Sequence, residues 1–271
     1  MSKTDVRTVA ERIELGHHKD RPNITDYIGI IFEDFFELHG DRVYGDDEAV
    51  CGGIARLDGR PVTVIGHRKG KSTIENIKAN FGMAYPEGYR KAMRLMHQAE
   101  KFKRPIICFV DTPGAYCGVG AEERGIGEAI ARNLLEMMAL KVPVISIVTG
   151  EGGSGGALGL AVANEVYMLE NAVYSIISPK GFASIIWKDP SREPEAALQL
   201  HMTAPDLLEL GVIEKIVAEP KDGAHDDVAS TAKNIKKTFT EALDRLSKMS
   251  GEELADARYK KFRDIGVFLE K

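Results

Sequence analysis

The spacing of apolar and polar positions divides this chain into helices and strands before any motif is considered. Residues 6–15 carry apolar side chains at helical spacing and predict a first helix, closed by the polar break GHHKDRPNIT. A second helix is predicted from Thr25 or Asp26, either of which suits an N-cap, with Ile28, Ile31, Phe32, Phe35, Phe36 and Leu38 largely on one face. After the charged loop HGDRVYGDDEA, the stretch AVCGGIARLDGRPVTVIGHRKG alternates with a period of two and turns at Asp58 and Gly59, which predicts a two-stranded hairpin.

From there the period changes. EGYRKAMRLMHQAEKF reads as an amphipathic helix with Met93, Leu95, Met96 and Ala99 inside and a basic tail suited to the C-terminal end of the helix dipole. PIICFVD (105–111) is a buried strand, TPGAYCGVG a loop, residues 121–141 a helix, and VPVISIVT the next strand. The rhythm repeats in a helix after Gly155, strands at 165–169 and 173–179, a further strand at 211–220 and helical segments over 227–263. Alternation of this kind implies an α/β domain with largely parallel strands. Neither a fixed-period repeat nor a low-complexity linker divides it, so residues 1–271 are expected to form one domain: a helical N-terminal segment to 45, a core over 46–220 and C-terminal helices over 221–271.

Composition narrows the function classes. A chain of 271 residues with 44% hydrophobic content can bury a large core. Its 36 basic and 41 acidic residues give a net charge of -5, which offers no general attraction to nucleic acid or an anionic membrane. Cys51, Cys108 and Cys117 are odd in number and lack CxxC spacing, so neither a disulfide framework nor a zinc knuckle is suggested. The polar N-terminus and the lack of an apolar run near the ~18 residues of a membrane span lead to an expected cytoplasmic location.

The chemistry concentrates in residues 142–164, VPVISIVTGEGGSGGALGLAVAN. A β-branched strand runs into Gly150, Gly152, Gly153, Gly155 and Gly156 around Ser154, and a small apolar helix follows. Strand, glycine turn and helix start together present bare backbone N–H groups, which hold a phosphate, a carboxylate or an oxygen that becomes negative only in a transition state. Three readings compete. GHRKGKST (66–73) with DTPG (111–114) hints at a nucleotide-binding loop, but the GxxxxGK[ST] pattern would need glycine where Ile65 stands, and a hairpin with a basic tip explains the stretch better. Gly152, Ser154 and Gly156 satisfy GxSxG between a strand and a helix, as a serine hydrolase requires, with His201 or His225 and Asp189, Asp206 or Glu209 as candidate partners. The third reading needs no side-chain nucleophile: the backbone at Gly155 and Gly156 stabilises an enolate-type oxygen, glycine being required because a side chain would crowd the ligand.

FFELHGDR (35–42), GGIARLDGRPV (52–62), NFGMAYPEGYRKAMRLM (80–96), FVDTPGAYCGVGAEERGIGEAIARNL (109–134), GEGGSGGALGL (150–160) and SPKGFASIIWKD (178–189) occur in order. Together they resemble the alpha subunits of bacterial acetyl-coenzyme A carboxylase carboxyltransferases, over residues 8 to about 259. The resemblance implies a crotonase-like fold, a spiral of ββα units with helical N- and C-terminal segments. It also implies transfer of a carboxyl group from carboxybiotin on a carrier protein to acetyl-CoA, giving malonyl-CoA for fatty acid synthesis. The implied partners are a zinc-ribbon-bearing beta subunit in an alpha2beta2 assembly, the biotin carboxyl carrier protein, and biotin carboxylase in the wider complex. No metal is expected in this chain, which has no CxxC pair.

On that resemblance the backbone N–H groups of Gly155, Gly156 and Ala157 stabilise the biotin ureido oxygen, and the biotin anion then deprotonates acetyl-CoA, whose enolate the partner holds. Asp111, Thr112, Pro113, Gly114 and Ala115, with Gly152, Gly153 and Ser154, are expected to line the biotin cleft. Lys69, Lys71, Arg90 and Arg94 are candidates to face CoA phosphates or the beta subunit, solvated charges being the plainer alternative. Phe182 and Trp187 are expected at a core or subunit interface. Cys117 and Lys180 stand where the resemblance leads one to expect proline and glutamate. The long helical extension at the start of many family members is expected to be missing.

Overall fold

Two strands whose residues are apolar on both faces form the centre of the molecule, as strands covered on both sides must be. In the computed structural model, which describes residues 7–266, these are β4 (Ile106–Thr112) and β5 (Val144–Gly153). Ile106, Ile107, Cys108, Phe109 and Val110 are wholly inaccessible, and Ile107 and Phe109 stand opposite Ile145 and Ile147 of β5. Around this pair an eight-stranded sheet takes the order β1-β2-β3-β4-β5-β6-β8. Its other strands are β1 (Glu33–Glu37), β2 (Val50–Leu57), β3 (Arg60–His67), β6 (Glu165–Leu169), β7 (Val173–Ser175) and β8 (Lys215–Val217). The first three pair antiparallel and the rest parallel.

The helices are α1 (Val9–Gly16), α2 (Ile24–Ile31), α3 (Thr73–Lys78), α4 (Pro86–Lys101), α5 (Val119–Glu123) and α6 (Ile126–Ala139), followed by α7 (Ser154–Ala161) and α8 (Pro179–Phe182). The chain ends in α9 (Glu193–Gln199), α10 (Ala204–Glu209), α11 (Val228–Leu246) and α12 (Gly251–Asp264). Helix α4 buries Met93, Leu95, Met96 and Ala99, as expected from its periodicity, together with Tyr89, Ala92 and Lys91, whose ammonium group turns inward to Asp46 at 2.6 Å. Phe109 of β4 packs on Tyr27 of α2 at 5.9 Å and edge-on to Phe239 of α11 at 5.6 Å, so the first and last thirds of the chain share one core. Arg258 of α12 is wholly buried and caps the chain after α6 through the carbonyls of Met137, Leu140 and Val142 at 2.7, 2.8 and 3.1 Å.

The feature that positions the site is a change of neighbour along β5. Its first half pairs with β6, from Ile145 opposite Glu165 to Val148 opposite Met168. Its second half pairs with β7, from Glu151 opposite Val173 to Gly153 opposite Ser175. The end of β5 therefore parts from β6 while Gly152 stays paired with Thr112 of β4, and its glycines are delivered beside the loop that follows β4.

Several expectations shift. The second helix is capped by Asn23, whose side chain accepts from Thr25 N at 2.9 Å, and it ends at Ile31 rather than near residue 38. The next residues form β1, because Gly53 on β2 leaves room for the Phe35 ring; a Cβ at Gly53 would lie 2.9 Å from it. The helix expected over 121–141 is broken by Gly125, at φ +81°, into α5 and α6. The strand expected over 211–220 is paired only at Lys215–Val217, and that over 173–179 only at Val173–Ser175, after which Ser178 caps α8.

Candidate active site

Helix α7 starts without help from any side chain. Gly153 is its N-cap, in extended conformation at φ −89° and ψ 114°, and makes no side-chain capping bond. Ser154 follows at φ +47°, in the left-handed region. The first N–H groups of a helix have no partner within it and carry the positive end of its dipole, so this turn offers donors to whatever lies in front of it. Gly156 and Ala157 are buried and Gly155 is half-buried, while Ser154 is exposed.

The loop after β4 closes on the turn, backbone to backbone. A Cβ at Gly153 would overlap the Pro113 carbonyl, and one at Gly156 would lie 2.5 Å from Ala115 N. At Gly155, by contrast, the nearest atom to an added Cβ is on Ile130 at 3.8 Å. Thr112 folds the loop, its hydroxyl donating to the Gly114 carbonyl at 2.8 Å and accepting from Gly114 N at 3.1 Å. The structure thus brings Thr112, Pro113, Gly114 and Ala115 together with Gly152, Gly153, Ser154, Gly155, Gly156 and Ala157. Pro113, Gly152, Gly153 and Ser154 line a small cavity of about 80 Å³ roofed by residues 175–179.

Next to it opens a larger cavity of about 540 Å³ that shares His17, Pro113 and Glu151 as walls. Its floor is ionic. Lys69 donates to Asp111 Oδ1 at 2.9 Å and to Glu151 Oε1 at 2.7 Å, and Asp111 also accepts from Glu151 N at 3.1 Å. His17 Nε2 lies 3.1 Å from the other oxygen of Glu151. Burial opposes ionisation of Glu151, but His17 and Lys69 outweigh it and hold its carboxyl down to about 2. Burial likewise opposes the charge on Lys69, and the facing Asp111 and Glu151 carboxylates overcome it and raise its pKa. Asp111 is therefore at the site, with its carboxylate committed to Lys69 and to the β5 backbone.

The basic residues singled out from the sequence are also engaged. Lys69 turns inward instead of forming the tip of a hairpin, Ser72 caps α3, and Lys71 pairs with Asp26. Arg90 binds Asp41 at 2.7 Å, and Arg94 donates to the Gly40 carbonyl at 2.9 Å. Phe182 and Trp187 meet edge to face at 5.2 Å, with Arg192 stacked 4.0 Å over the indole. His17 and Glu151 escaped the sequence reading. Glu151 had a signal, since a carboxylate set between glycines at the end of an apolar strand needs a buried partner.

The hydrolase reading does not hold. Among the described residues no hydrogen bond joins Ser154 to a histidine. His225 stacks on His18 at 3.7 Å, while the exposed His201 reaches only its local neighbour Asp206, at 4.0 Å. Asp189 is occupied with Ser191.

A sheet whose long strand switches partners, and then enters a buried helix through a glycine turn clamped by the preceding βα loop, is the crotonase-like fold. The chain superposes on transcarboxylase 12S, solved with methylmalonyl-coenzyme A and methylmalonic acid bound, with a TM-score of 0.70, 19% identity and coverage of 89% of this chain and 45% of that one. The sequence profile of the family described as acetyl co-enzyme A carboxylase carboxyltransferase-like matches residues 5–266. The acetyl-coenzyme A carboxylase carboxyl transferase subunit alpha of Heliobacterium modesticaldum is 59% identical over 257 residues, covering 95% of this chain and 77% of the relative. Its counterpart in Clostridium acetobutylicum is 56% identical over 270 residues, covering 100% and 98%. The chain belongs to the family of acetyl-CoA carboxylase carboxyltransferase alpha subunits.

Proposed function

We propose that this subunit supplies the biotin half of a carboxyltransferase site, with acetyl-CoA as acceptor and a beta subunit holding the acceptor. When bound, carboxybiotin supplies the carboxyl group, and its ureido oxygen gathers negative charge as that group departs. The observation that carries the reading is the uncapped first turn of α7, where Gly155, Gly156 and Ala157 offer backbone N–H groups. Donors of this kind are worth most where charge develops, about 3 kcal/mol for one of them. Residues 113–115 keep the turn in place by direct backbone contact.

Pro113, Gly152 and Gly153 line the small cavity in the same corner, with Gly152 buried in its wall. The rim supports a second subunit. Ile176, which lines the small cavity, and Ile185 and Ile186 further along the chain are 79%, 58% and 59% exposed, more apolar surface than a lone subunit gains from showing. We place the site at that junction, in one domain extending over the chain, within an alpha2beta2 assembly served by a biotin carboxyl carrier protein and biotin carboxylase. No described helix is long and apolar enough to cross a membrane, and a cytoplasmic enzyme is the reading we adopt.

The test is malonyl-CoA decarboxylation in the presence of free biotin, measured on this chain alone and after mixing with a beta subunit from the same cell. Activity confined to the mixture is expected. An assembled mixture without activity would overturn the proposal.

A further inference from the structure

Helix α7 is fastened from behind by polar side chains of three other elements. Asn133 of α6 donates to the Gly159 carbonyl at 3.1 Å, and Ser146 of β5 donates to the Leu160 carbonyl at 2.7 Å. Both satisfy carbonyls of the last turn that have no partner within a helix. The third contact has no such purpose. Tyr89 of α4 donates its hydroxyl to the Gly156 carbonyl at 3.3 Å, in the first turn, where helix carbonyls already have a backbone partner. The approach is close: a Cβ at Gly159 would lie 2.7 Å from the Tyr89 ring.

Beside Tyr89 lies a second polar group. His67, the last residue of β3, is wholly buried and meets the Tyr89 ring edge-on at 6.4 Å. Neither of its ring nitrogens has a partner of full hydrogen-bond geometry, and the Gly156 backbone is the polar group beside it. A buried imidazole left in this way costs about 1–3 kcal/mol, which an apolar side chain of similar size would not. Of the charged groups around it, Asp111 favours its protonation and Lys69 opposes it, while burial outweighs both and keeps the ring neutral.

The Gly156 carbonyl belongs to the same planar peptide as the Ala157 N–H, and in a trans peptide the two point in opposite directions. Whatever holds and polarises the carbonyl from behind therefore aims and strengthens the N–H in front, because hydrogen bonds in a chain polarise one another. We propose that Tyr89 and His67 are positioning residues of the catalytic turn, a polar backing on the Gly156 carbonyl that orients the Ala157 N–H toward the developing charge on the biotin ureido oxygen. This rests on the reading of residues 155–157 as the ureido-oxygen site.

The test compares Tyr89→Phe, which removes only the hydroxyl, with Gly156→Ala, using the assembled alpha–beta enzyme and the biotin-dependent decarboxylation of malonyl-CoA. Tyr89→Phe is expected to lower kcat about tenfold while KM for malonyl-CoA stays within about twofold and Tm is nearly unchanged, since polarisation acts on charge present only in the transition state. Replacement of His67 by Leu lowers kcat in the same manner, and His67→Gln, which keeps a side-chain N–H, restores part of it. Full kcat in Tyr89→Phe alongside a crippled Gly156→Ala would overturn the positioning role and spare the turn. Full kcat in both would remove the turn itself. If Tyr89→Phe does not assemble, equal kcat in His67→Leu and His67→Gln decides against the proposal.

Discussion

The glycine turn at the end of β5 and the ion cluster beside it are neighbours built on opposite principles. In the turn, side chains are missing where they would intrude: Gly153 and Gly156 press on the backbone of residues 113–115. In the cluster, two residues before Gly153 on β5, the opposite holds, and Glu151, Asp111, Lys69 and His17 fill the space with paired charges. Changes in the turn should strike turnover through geometry, and changes in the cluster should strike stability through unpaired charge.

The largest expected effect is on turnover. Gly156→Ala pushes a methyl group against Ala115 N and separates the two loops, so kcat of the assembled enzyme should fall about 100-fold or more. Gly155→Ala, where the added Cβ meets nothing closer than 3.8 Å, should retain most of it. Equal losses in the two variants would show that the clamp against residues 113–115 is not what the turn requires.

Acid stability separates the buried imidazole behind the turn from the carboxylates in front of it. His67 is pushed by burial down to about 4, whereas in the unfolded chain it titrates at its ordinary value of 6.5. Between these values the unfolded state binds the extra proton, so stability falls as pH falls from 6.5 toward 4, by about 3 kcal/mol in all. Glu151 acts at lower pH with the usual carboxylate sign: its stabilisation is complete above 4.5 and is lost as pH falls toward about 2. Urea denaturation at a series of pH values should show the first loss flattened in His67→Gln and retained in Glu151→Gln. A His67→Gln profile identical to the parent's would mean that the imidazole is not neutral in the fold.

A smaller effect is expected at the centre of the cluster. Lys69→Met leaves Asp111 and Glu151 facing each other without their shared cation, and the chain should lose about 2 kcal/mol of stability, less than a fully buried pair because Lys69 keeps some contact with solvent. Thermal melting at neutral pH checks this. A gain in Tm would show that the two carboxylates do not depend on Lys69.

The same contrast decides what could be read from the sequence. Strands β4 and β5 were legible because strands buried on both faces must be apolar throughout, and the turn was legible because Gly152, Gly153, Gly155 and Gly156 meet a local demand on the backbone. The cluster was not, since His17, Lys69 and Glu151 lie far apart in the chain and meet only through the tertiary fold. Residues 33–37 were misread for a related reason: Phe32, Phe35 and Phe36 fit a helical period, and only the space left by Gly53 on the neighbouring strand makes an edge strand the better solution. The short helices over 179–209 carry no long apolar period by which to recognise them. GxSxG was correctly located as a strand-to-helix turn, but its histidines were tied to it by order along the chain alone, and their positions in the fold rule them out.

The backbone of this turn should do its work without the hydroxyl at its tip. The most direct measurement is kcat for biotin-dependent malonyl-CoA decarboxylation by Ser154→Ala assembled with the beta subunit, beside the parent enzyme. Ser154 is exposed and has no histidine partner, so kcat should stay within about twofold of the parent. A fall of about 1,000-fold, of the order expected when a nucleophile is removed, would contradict it.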